Sequence, residues 1–253
     1  MNNISKSLLL AGLSAGWWFS VAQATLIGQW RFNEPVGATA IDTSGNGNNG
    51  TLLNGATRAA APGYLAASLD GTDDYVSMGA PATFDLTSTV SLEVWVNPTS
   101  NVGGSGEKLL LGKQFGNYAL SLYHNGNAYF YWDGGANNAN APVSVGVWTH
   151  LVGTYDGAAV RLYTNGVLAS SLGYVDTTAV SGDPLIVGGP GTSFTGYLHG
   201  LVDQAAIYDH ALSPGEVLAN FNAGANAFAT VPEPSVAALL LVAGAMIWRR
   251  MRK

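Results

Sequence analysis

Residues 148–172 read WTHLVGTYDGAAVRLYTNGVLASSL, in which three runs of β-branched and aromatic residues are separated by two polar dipeptides. These dipeptides are Asp156-Gly157 and Asn165-Gly166. Both tolerate the positive φ angles that two-residue hairpin turns require, so the segment predicts strands at 148–155, 159–163 and 167–172. No long helical periodicity competes with this interpretation. The segment therefore predicts an antiparallel β-sheet.

The same pattern continues on both sides of this segment. Further candidate strands lie at 26–32, 66–69, 75–78, 90–96, 108–112, 118–123, 128–132, 185–187 and 196–208. Their regular spacing is typical of an all-β antiparallel sandwich or jelly roll. One short C-terminal helix is expected at Ser213-Pro214-Gly215-Glu216, where a capping hydroxyl, a first-turn proline and a reciprocal glutamate coincide. Apolar Val217, Leu218 and Phe221 would dock this helix on the sheet.

The N-terminal 24 residues have the composition of a secretory signal peptide. Lys6 precedes a short apolar stretch, and the segment closes on Ala22-Gln23-Ala24, a small-x-small ending that signal peptidase would cleave after Ala24. Secretion without any cysteine favours a bacterial envelope or exterior. The expected organisation is a signal peptide at 1–24, one β domain at 25–224, a linker at 225–230 and a distinct tail at 231–253.

The tail reads VPEPSVAALLLVAGAMIWRRMRK. Its apolar stretch, 236–248, would span only about 20 Å as a helix, against a hydrocarbon core of about 30 Å, and the basic end would stay on the cytoplasmic side. The tail resembles the PEP-CTERM sorting signal of Gram-negative bacteria. This resemblance implies a short transmembrane helix as a transient anchor, cleavage by an exosortase near Pro232–Pro234, and release to the cell surface or extracellular matrix.

The order of motifs in the middle of the chain resembles one family. The motifs are WRFNE at 30–34, DTSGNGNNG at 42–50, LDGTDDYV at 69–76, SLEVWV at 91–96, WTHLVGTYDG at 148–157, LYTNG at 162–166, and GLVD through IYDHALS at 200–213. Together they are similar to the LamG-like jelly-roll domain of the concanavalin A-like lectin/glucanase fold. The family commonly has an acidic and then a basic residue after the aspartate at 203, whereas this chain has Gln204 and Ala205.

Composition excludes several classes of function. The chain has no cysteine, which excludes disulfides, Cys-ligated zinc and a thiol nucleophile. Residues 25–230 carry 15 acidic against 5 basic side chains. Because nucleic-acid binding needs basic patches that neutralise phosphates, no nucleic-acid partner is expected.

The pattern of acidic residues argues against an enzyme. Glycoside hydrolysis usually requires two carboxyl groups about 5–10 Å apart, and the Glu-x-Asp-x-x-Glu run of the glucanases of this fold is missing. Glu93 has no second acid near it in its strand, and we interpret it as a hydrogen-bonded structural carboxylate. Glu107 and Asp133 could meet across a loop, although nothing in the sequence requires it. We therefore expect no enzymatic activity.

A structural calcium site is one interpretation of the glycine-rich segment at 42–50. Asp42, Asn46, Asn48 and nearby backbone carbonyls would supply hard oxygen ligands. The family resemblance suggests that Asp203 completes the shell and ties the two ends of the domain together. The alternative is a plain turn, since Asp-Thr-Ser-Gly-Asn-Gly is also ordinary turn composition. An EF-hand is excluded, because Leu53 stands where the loop would need glutamate.

Aromatic residues alternate in 129–132, so Tyr129 and Tyr131 share one face of a strand and Phe130 and Trp132 the other. One pair should be core, and the other could stack on a sugar ring. The polar segment after this strand offers groups that can recognise hydroxyls. The candidate ligand-binding residues are Tyr129, Tyr131, Trp132, Asp133, Asn137 and Asn138. The alternative is that the aromatics only fill the core.

The sequence thus favours a secreted, non-catalytic LamG-like domain that binds extracellular polysaccharide, a surface glycan or a matrix partner. A second interpretation is a purely structural surface or matrix protein without a small ligand. A third is a weak glycoside hydrolase of the same fold.

Overall fold

The computed structural model describes residues 25–61, 63–100, 106–113, 117–133, 137–190 and 195–224. The predicted signal peptide, the predicted linker and the predicted C-terminal tail with its short transmembrane helix all lie outside these residues. No helix in the described part of the chain is long and apolar enough to cross a membrane.

The described residues form sixteen strands, one 3-10 turn and one α-helix. In chain order they are β1 (Leu26–Trp30), β2 (Thr39–Ala40), β3 (Gly50–Leu53), β4 (Thr57–Ala61), β5 (Tyr64–Asp70), β6 (Tyr75–Ser77), the 3-10 turn (Ala82–Phe84), β7 (Val90–Pro98), β8 (Lys108–Gly112), β9 (Tyr118–Leu122), β10 (Asn127–Trp132), β11 (Asn138–Pro142), β12 (Thr149–Tyr155), β13 (Ala159–Thr164), β14 (Val167–Gly173), β15 (Ile186–Val187), β16 (His199–Tyr208) and α1 (Pro214–Ala223).

The strands form two antiparallel sheets, which confirms the predicted all-β sandwich. The first sheet has the order β14-β13-β12-β7-β16-β5-β4, and β1 pairs with the second half of β16. The second sheet has the order β11-β10-β9-β8-β15-β6-β3-β2. Their inner faces enclose one large apolar core, whose fully buried aromatic side chains include Trp30, Phe84, Phe130 and Trp132.

The hairpin turns differ in detail from the prediction. Asn165 and Gly166 have φ angles of 51° and 81° and form the expected two-residue turn between β13 and β14. Between β12 and β13 the connection has three residues, because the Asp156 carboxylate accepts hydrogen bonds from the amides of Ala158 and Ala159. This side chain holds the wider loop in place.

Helix α1 begins with the predicted capping box. The Ser213 hydroxyl accepts a hydrogen bond from the Glu216 amide, and the Glu216 carboxylate accepts one from the Ser213 amide at 2.7 Å. Val217 is fully buried against the first sheet, whereas Leu218 is 45% exposed and lies beside Gly166 in the turn between β13 and β14. Phe221 lies parallel to the Trp95 ring, with their centroids 5.7 Å apart.

Candidate functional site

The alternating aromatics of β10 divide between the two faces of the second sheet. Phe130 and Trp132 point into the core and are completely buried. The Trp132 ring stacks on Tyr155 at 4.3 Å, so it offers no surface to a ligand and the prediction of Trp132 as a binding residue is corrected. Tyr129 and Tyr131 lie on the outer face, where their rings are parallel within 6° and 5.8 Å apart.

Strand register places polar side chains beside these two rings. Tyr131 is directly opposite Asn138 on β11, and Tyr129 is opposite both Asn140 on β11 and Ser121 on β9. Residues directly opposite each other in an antiparallel pair project to the same face. The tyrosine face therefore consists of Ser121, Tyr129, Tyr131, Asn138 and Asn140. Asn138 and Asn140 belong to a strand and not to the predicted loop, because the alternating Ala139 and Ala141 are buried in the core.

Hydrogen bonds hold side chains of the tyrosine face in place. The Glu107 carboxylate accepts hydrogen bonds from the hydroxyls of Ser121 and Tyr131. Burial, together with this contact to Glu107, raises the pKa of Tyr131 well above its ordinary value. The Tyr129 hydroxyl accepts a hydrogen bond from Nδ2 of Asn125 at 3.1 Å. Tyr131 is 9% exposed and Tyr129 is half-buried, so Tyr129 presents the larger surface.

The other predicted ligand residues are placed differently. Asp133 has a positive φ of 63° and accepts a hydrogen bond at 2.5 Å from the Tyr174 hydroxyl. That hydroxyl also donates to Asp176, and the contact with Asp133 is the main reason why the pKa of Tyr174 is raised. Asn137 is half-buried and directly precedes β11. Of the predicted set, the structure therefore brings together Tyr129, Tyr131 and Asn138.

The carboxylates considered as candidate catalytic groups form hydrogen bonds within the protein. Glu93 is fully buried and contacts His150 Nε2 at 2.6 Å, while it accepts hydrogen bonds from Tyr208 and Asn220. Glu107 and Asp133 contact different partners, as described above. In this arrangement Glu93 cannot reach a substrate, because its side chain has no exposed surface.

Three of the predicted calcium ligands, Asp42, Asn46 and Asn48, are hydrogen-bonded to other groups of the protein. The Asp42 carboxylate accepts hydrogen bonds from the backbone amides of Gln29, Ser44 and Asn48, at 2.9 to 3.0 Å. The carboxamide nitrogens of Asn46 and Asn48 donate to the carbonyl of Ile27. These bonds account for the conformation of the segment as an internally bonded loop.

Asp203 lies on the other side of β1 from this loop, since Trp30 on β1 bridges to Asp42 and pairs with Ala205 on β16. Asp203 is fully buried and neither of its carboxylate oxygens makes a hydrogen bond. Calcium binding by these four residues therefore stays a prediction.

Another group of carboxylates converges in the turn between β5 and β6. Ligand atoms of Asp70, Asp73 and Asp74 lie within 4.8 Å of one another. Within this turn, Asp74 accepts a hydrogen bond from the Asp70 amide, and Asp70 accepts one from the Thr72 amide. Burial raises the pKa of Asp74. These bonds account for the turn.

Comparison with known proteins identifies the family. Residues 70–218, more than half of the chain, match the laminin G family model described as the concanavalin A-like lectin/glucanases superfamily. The chain belongs to this family. Among curated proteins, no sequence is significantly similar to it.

Similar solved structures agree with this fold. Domain 4 of AbnA, a GH43 extracellular arabinanase from Geobacillus stearothermophilus solved with arabinotriose, has a TM-score of 0.61 and 23% identity. That match covers 77% of this chain and 97% of the arabinanase domain. The ligand-binding domain of botulinum neurotoxin serotype D, in complex with N-acetylneuraminic acid, has a TM-score of 0.63 and 14% identity, over 79% of this chain and 51% of the toxin domain. Trypanosoma rangeli sialidase in complex with sialic acid has a TM-score of 0.60 and 15% identity, over 78% of this chain and 32% of the sialidase.

Sequence reasoning did not find Ser121, which lies among apolar residues in the run YALSL of β9. The alternation of that run places Ala119 and Ser121 on one face and Leu120 and Leu122 on the other. This alternation was the only sign in the sequence that Ser121 faces outward. It connects Ser121 with the tyrosine face only once β9 is known to pair with β10.

Proposed function

We propose that this protein is a secreted, non-catalytic carbohydrate-binding domain that acts at the cell surface or in the extracellular matrix. The tyrosine face carries the proposal. Sugar rings present apolar C–H faces that stack on aromatic side chains, and their hydroxyls bond to amides. Tyr129 supplies the aromatic surface, Tyr131 and Glu107 hold it in place, and Asn138 and Asn140 lie at its side. The carbohydrates bound by the arabinanase domain and the toxin domain support this choice of ligand class.

The proposed route to the exterior rests on the two ends of the sequence. Signal peptidase would remove 1–24, and an exosortase would process the tail at 231–253 after transient anchoring in the inner membrane. Fractionation of the native host tests this part. Processed protein in the surface or matrix fraction is the expected result, and intact full-length chain confined to the cytosol would contradict it.

A glycan array that includes arabinan oligosaccharides tests the binding function with the full chain. Tyr129→Ala should weaken binding of any retained glycan about five- to tenfold, because an aromatic contact of this kind contributes about 1 kcal/mol beyond the area it buries. Tyr64→Ala is the matched control, since Tyr64 is a half-buried tyrosine that packs near Trp148 on the first sheet. Equal losses in both variants, or no glycan bound at all, would contradict the proposal.

The second candidate function is a structural surface or matrix protein without a small ligand. The low exposure of Tyr131 favours it, because a ring packed against its neighbours contributes to stability without any ligand. Under this alternative, Tyr129→Ala lowers the melting temperature and the array stays blank.

A further inference from the structure

A separate concave site lies far from the tyrosine face. It is an open pocket of about 800 Å³ lined by residues of the segment after β1, of β2 and of the loop at 42–49. Strand β2 is at one edge of the second sheet, whereas β10 and β11 of the tyrosine face are at the opposite edge. The lining residues that matter here are Arg31, Asn33, Glu34, Val36, Ile41 and Asn49.

Arg31 brings a positive charge to this pocket without a bonded partner in the described part of the chain. Its Nε is buried and makes no hydrogen bond. None of the ion pairs between described residues includes Arg31. A buried N–H group of a guanidinium without an acceptor is costly, so a ligand that supplies an acceptor there gains free energy.

The one carboxylate that lines the pocket is already neutralised. Glu34 pairs with Arg58 at 2.8 Å and accepts a hydrogen bond from the Ile41 amide at 2.7 Å. The Nη1 and Nη2 groups of Arg58 also donate to the backbone carbonyls of Gly37 and Thr39. The charge left over in the pocket is therefore that of Arg31.

The two asparagines that line the pocket, Asn33 and Asn49, can also donate hydrogen bonds to a ligand. Oδ1 of Asn33 accepts a hydrogen bond from the Leu65 amide at 3.0 Å, and Oδ1 of Asn49 accepts one from the Asp42 amide at 2.9 Å. Because each carboxamide oxygen is engaged, the –NH₂ group is the end that remains for a ligand. Together with Arg31, this chemistry selects a ligand rich in acceptors.

Apolar side chains complete the pocket. Val36 is 82% exposed and Ile41 is 48% exposed. They would contact the C–H face of a ring better than they would contact an inorganic anion. A carboxylate on a ring that also carries hydroxyl groups matches this combination of guanidinium, amide donors and aliphatic surface.

Asp203, which does not line the pocket, interacts electrostatically with Arg31. The two side chains form no ion pair, so the donors of Arg31 remain available to a ligand. The chain as a whole is acidic, with a formal net charge of −6, so long-range attraction does not assist an anionic ligand. Recognition must come from the contacts within the pocket.

We propose that this pocket binds the carboxylate-bearing ring of an acidic sugar, such as a uronic acid residue of a polysaccharide, with the carboxylate on Arg31 and the ring against Val36 and Ile41. The site is separate from the tyrosine face, and the proposal does not depend on binding there.

Calorimetry with the full chain tests it, with trigalacturonate as the probe and its methyl ester as the neutral analogue. The acid should bind at least tenfold more tightly than the ester, and rising salt should reduce this difference. Arg31→Gln should lower affinity for the acid at least tenfold and leave the ester unaffected. Val36→Glu should have a similar effect by repulsion, and this position is too exposed for the change to disturb folding. The matched control is Arg161→Gln, since Arg161 pairs with Asp156 on the first sheet.

Equal affinity for acid and ester, or an unchanged affinity in Arg31→Gln, would overturn the proposal. Binding of acetate as tight as that of the uronate would overturn its sugar component. Two variants distinguish this proposal from the one for the tyrosine face. Tyr129→Ala should leave uronate binding intact, even if the proposal for the tyrosine face fails. Arg31→Gln should leave the binding of neutral glycans intact.

Discussion

The carboxylate of Glu93 faces the imidazole of His150 at 2.6 Å, and both side chains are completely buried. The second carboxylate oxygen accepts hydrogen bonds from Tyr208 and Asn220, the latter on α1. This network ties β7, β12, β16 and α1 together on the outer face of the first sheet. A buried acid with this many partners stabilises the domain and has no access to solvent.

Glu93→Gln should therefore destabilise the protein, because the added –NH₂ group would face a donor and one charged hydrogen bond would be lost. The expected loss is about 1.5–3 kcal/mol, measured by urea unfolding. Asp183→Asn, at a half-buried acid in a loop, is the control and should change little. If Glu93→Gln left stability unchanged but abolished a measurable hydrolysis of polysaccharide by the wild type, the glycoside hydrolase alternative would be favoured again.

The raised pKa of Asp203 predicts how the stability of the protein depends on pH. This pKa is raised to about 8 by burial, whereas an unfolded aspartate titrates near 3.9. Between these values the unfolded chain is ionised while the folded carboxyl group stays protonated, so the free energy of unfolding falls as pH rises from about 4 to 8. Asp203→Asn removes this titration. Its stability should be nearly constant over that range and should exceed wild type at pH 7.5 by on the order of 5 kcal/mol. Parallel curves for the two proteins would contradict the pKa shift.

Local sequence signals predicted the strands that carry strong β propensity, whereas some weaker strands form only by pairing with a neighbouring strand. The hairpin turn at Asn165-Gly166 could be predicted locally, because both residues tolerate the positive φ angles that such a turn requires. Strands β4 and β11, with the sequences TRAAA and NANAP, were missed because alanine and asparagine have low β propensity. They form because β5 and β10 offer an edge to pair with.

The candidate sites, too, could be predicted from the sequence only in part. Alternation separated Tyr129 and Tyr131 from Phe130 and Trp132, but it did not indicate which pair faces the core. The pocket at Arg31 could not be predicted, since it depends on how β1, β2 and the loop at 42–49 fold onto one another. Likewise, the separation of Asp42 from Asp203 depends on β1 running between them.

Gly153, in the middle of β12, offers a test of packing between the sheets. A Cβ atom at this position would overlap the ring of Phe130 on the opposite sheet. Gly153→Ala should lower stability by about 1–3 kcal/mol through overpacking. Gly173→Ala is the matched control because nothing lies within 4 Å of a Cβ there. Melting temperatures that fall equally in both variants would show that backbone propensity, and not contact between the sheets, causes the loss.

The hydrogen bonds of Asp42 lead to a prediction about calcium. Since three backbone amides already satisfy its carboxylate, we expect the melting temperature to be the same in EDTA and in millimolar Ca²⁺. Asp42→Asn should lower stability by about 1–3 kcal/mol in both conditions, because the carboxamide has one acceptor oxygen where the loop needs two. If EDTA lowers the melting temperature of the wild type but not that of Asp42→Asn, the loop binds calcium in solution and its amides must turn away from the carboxylate to admit the ion.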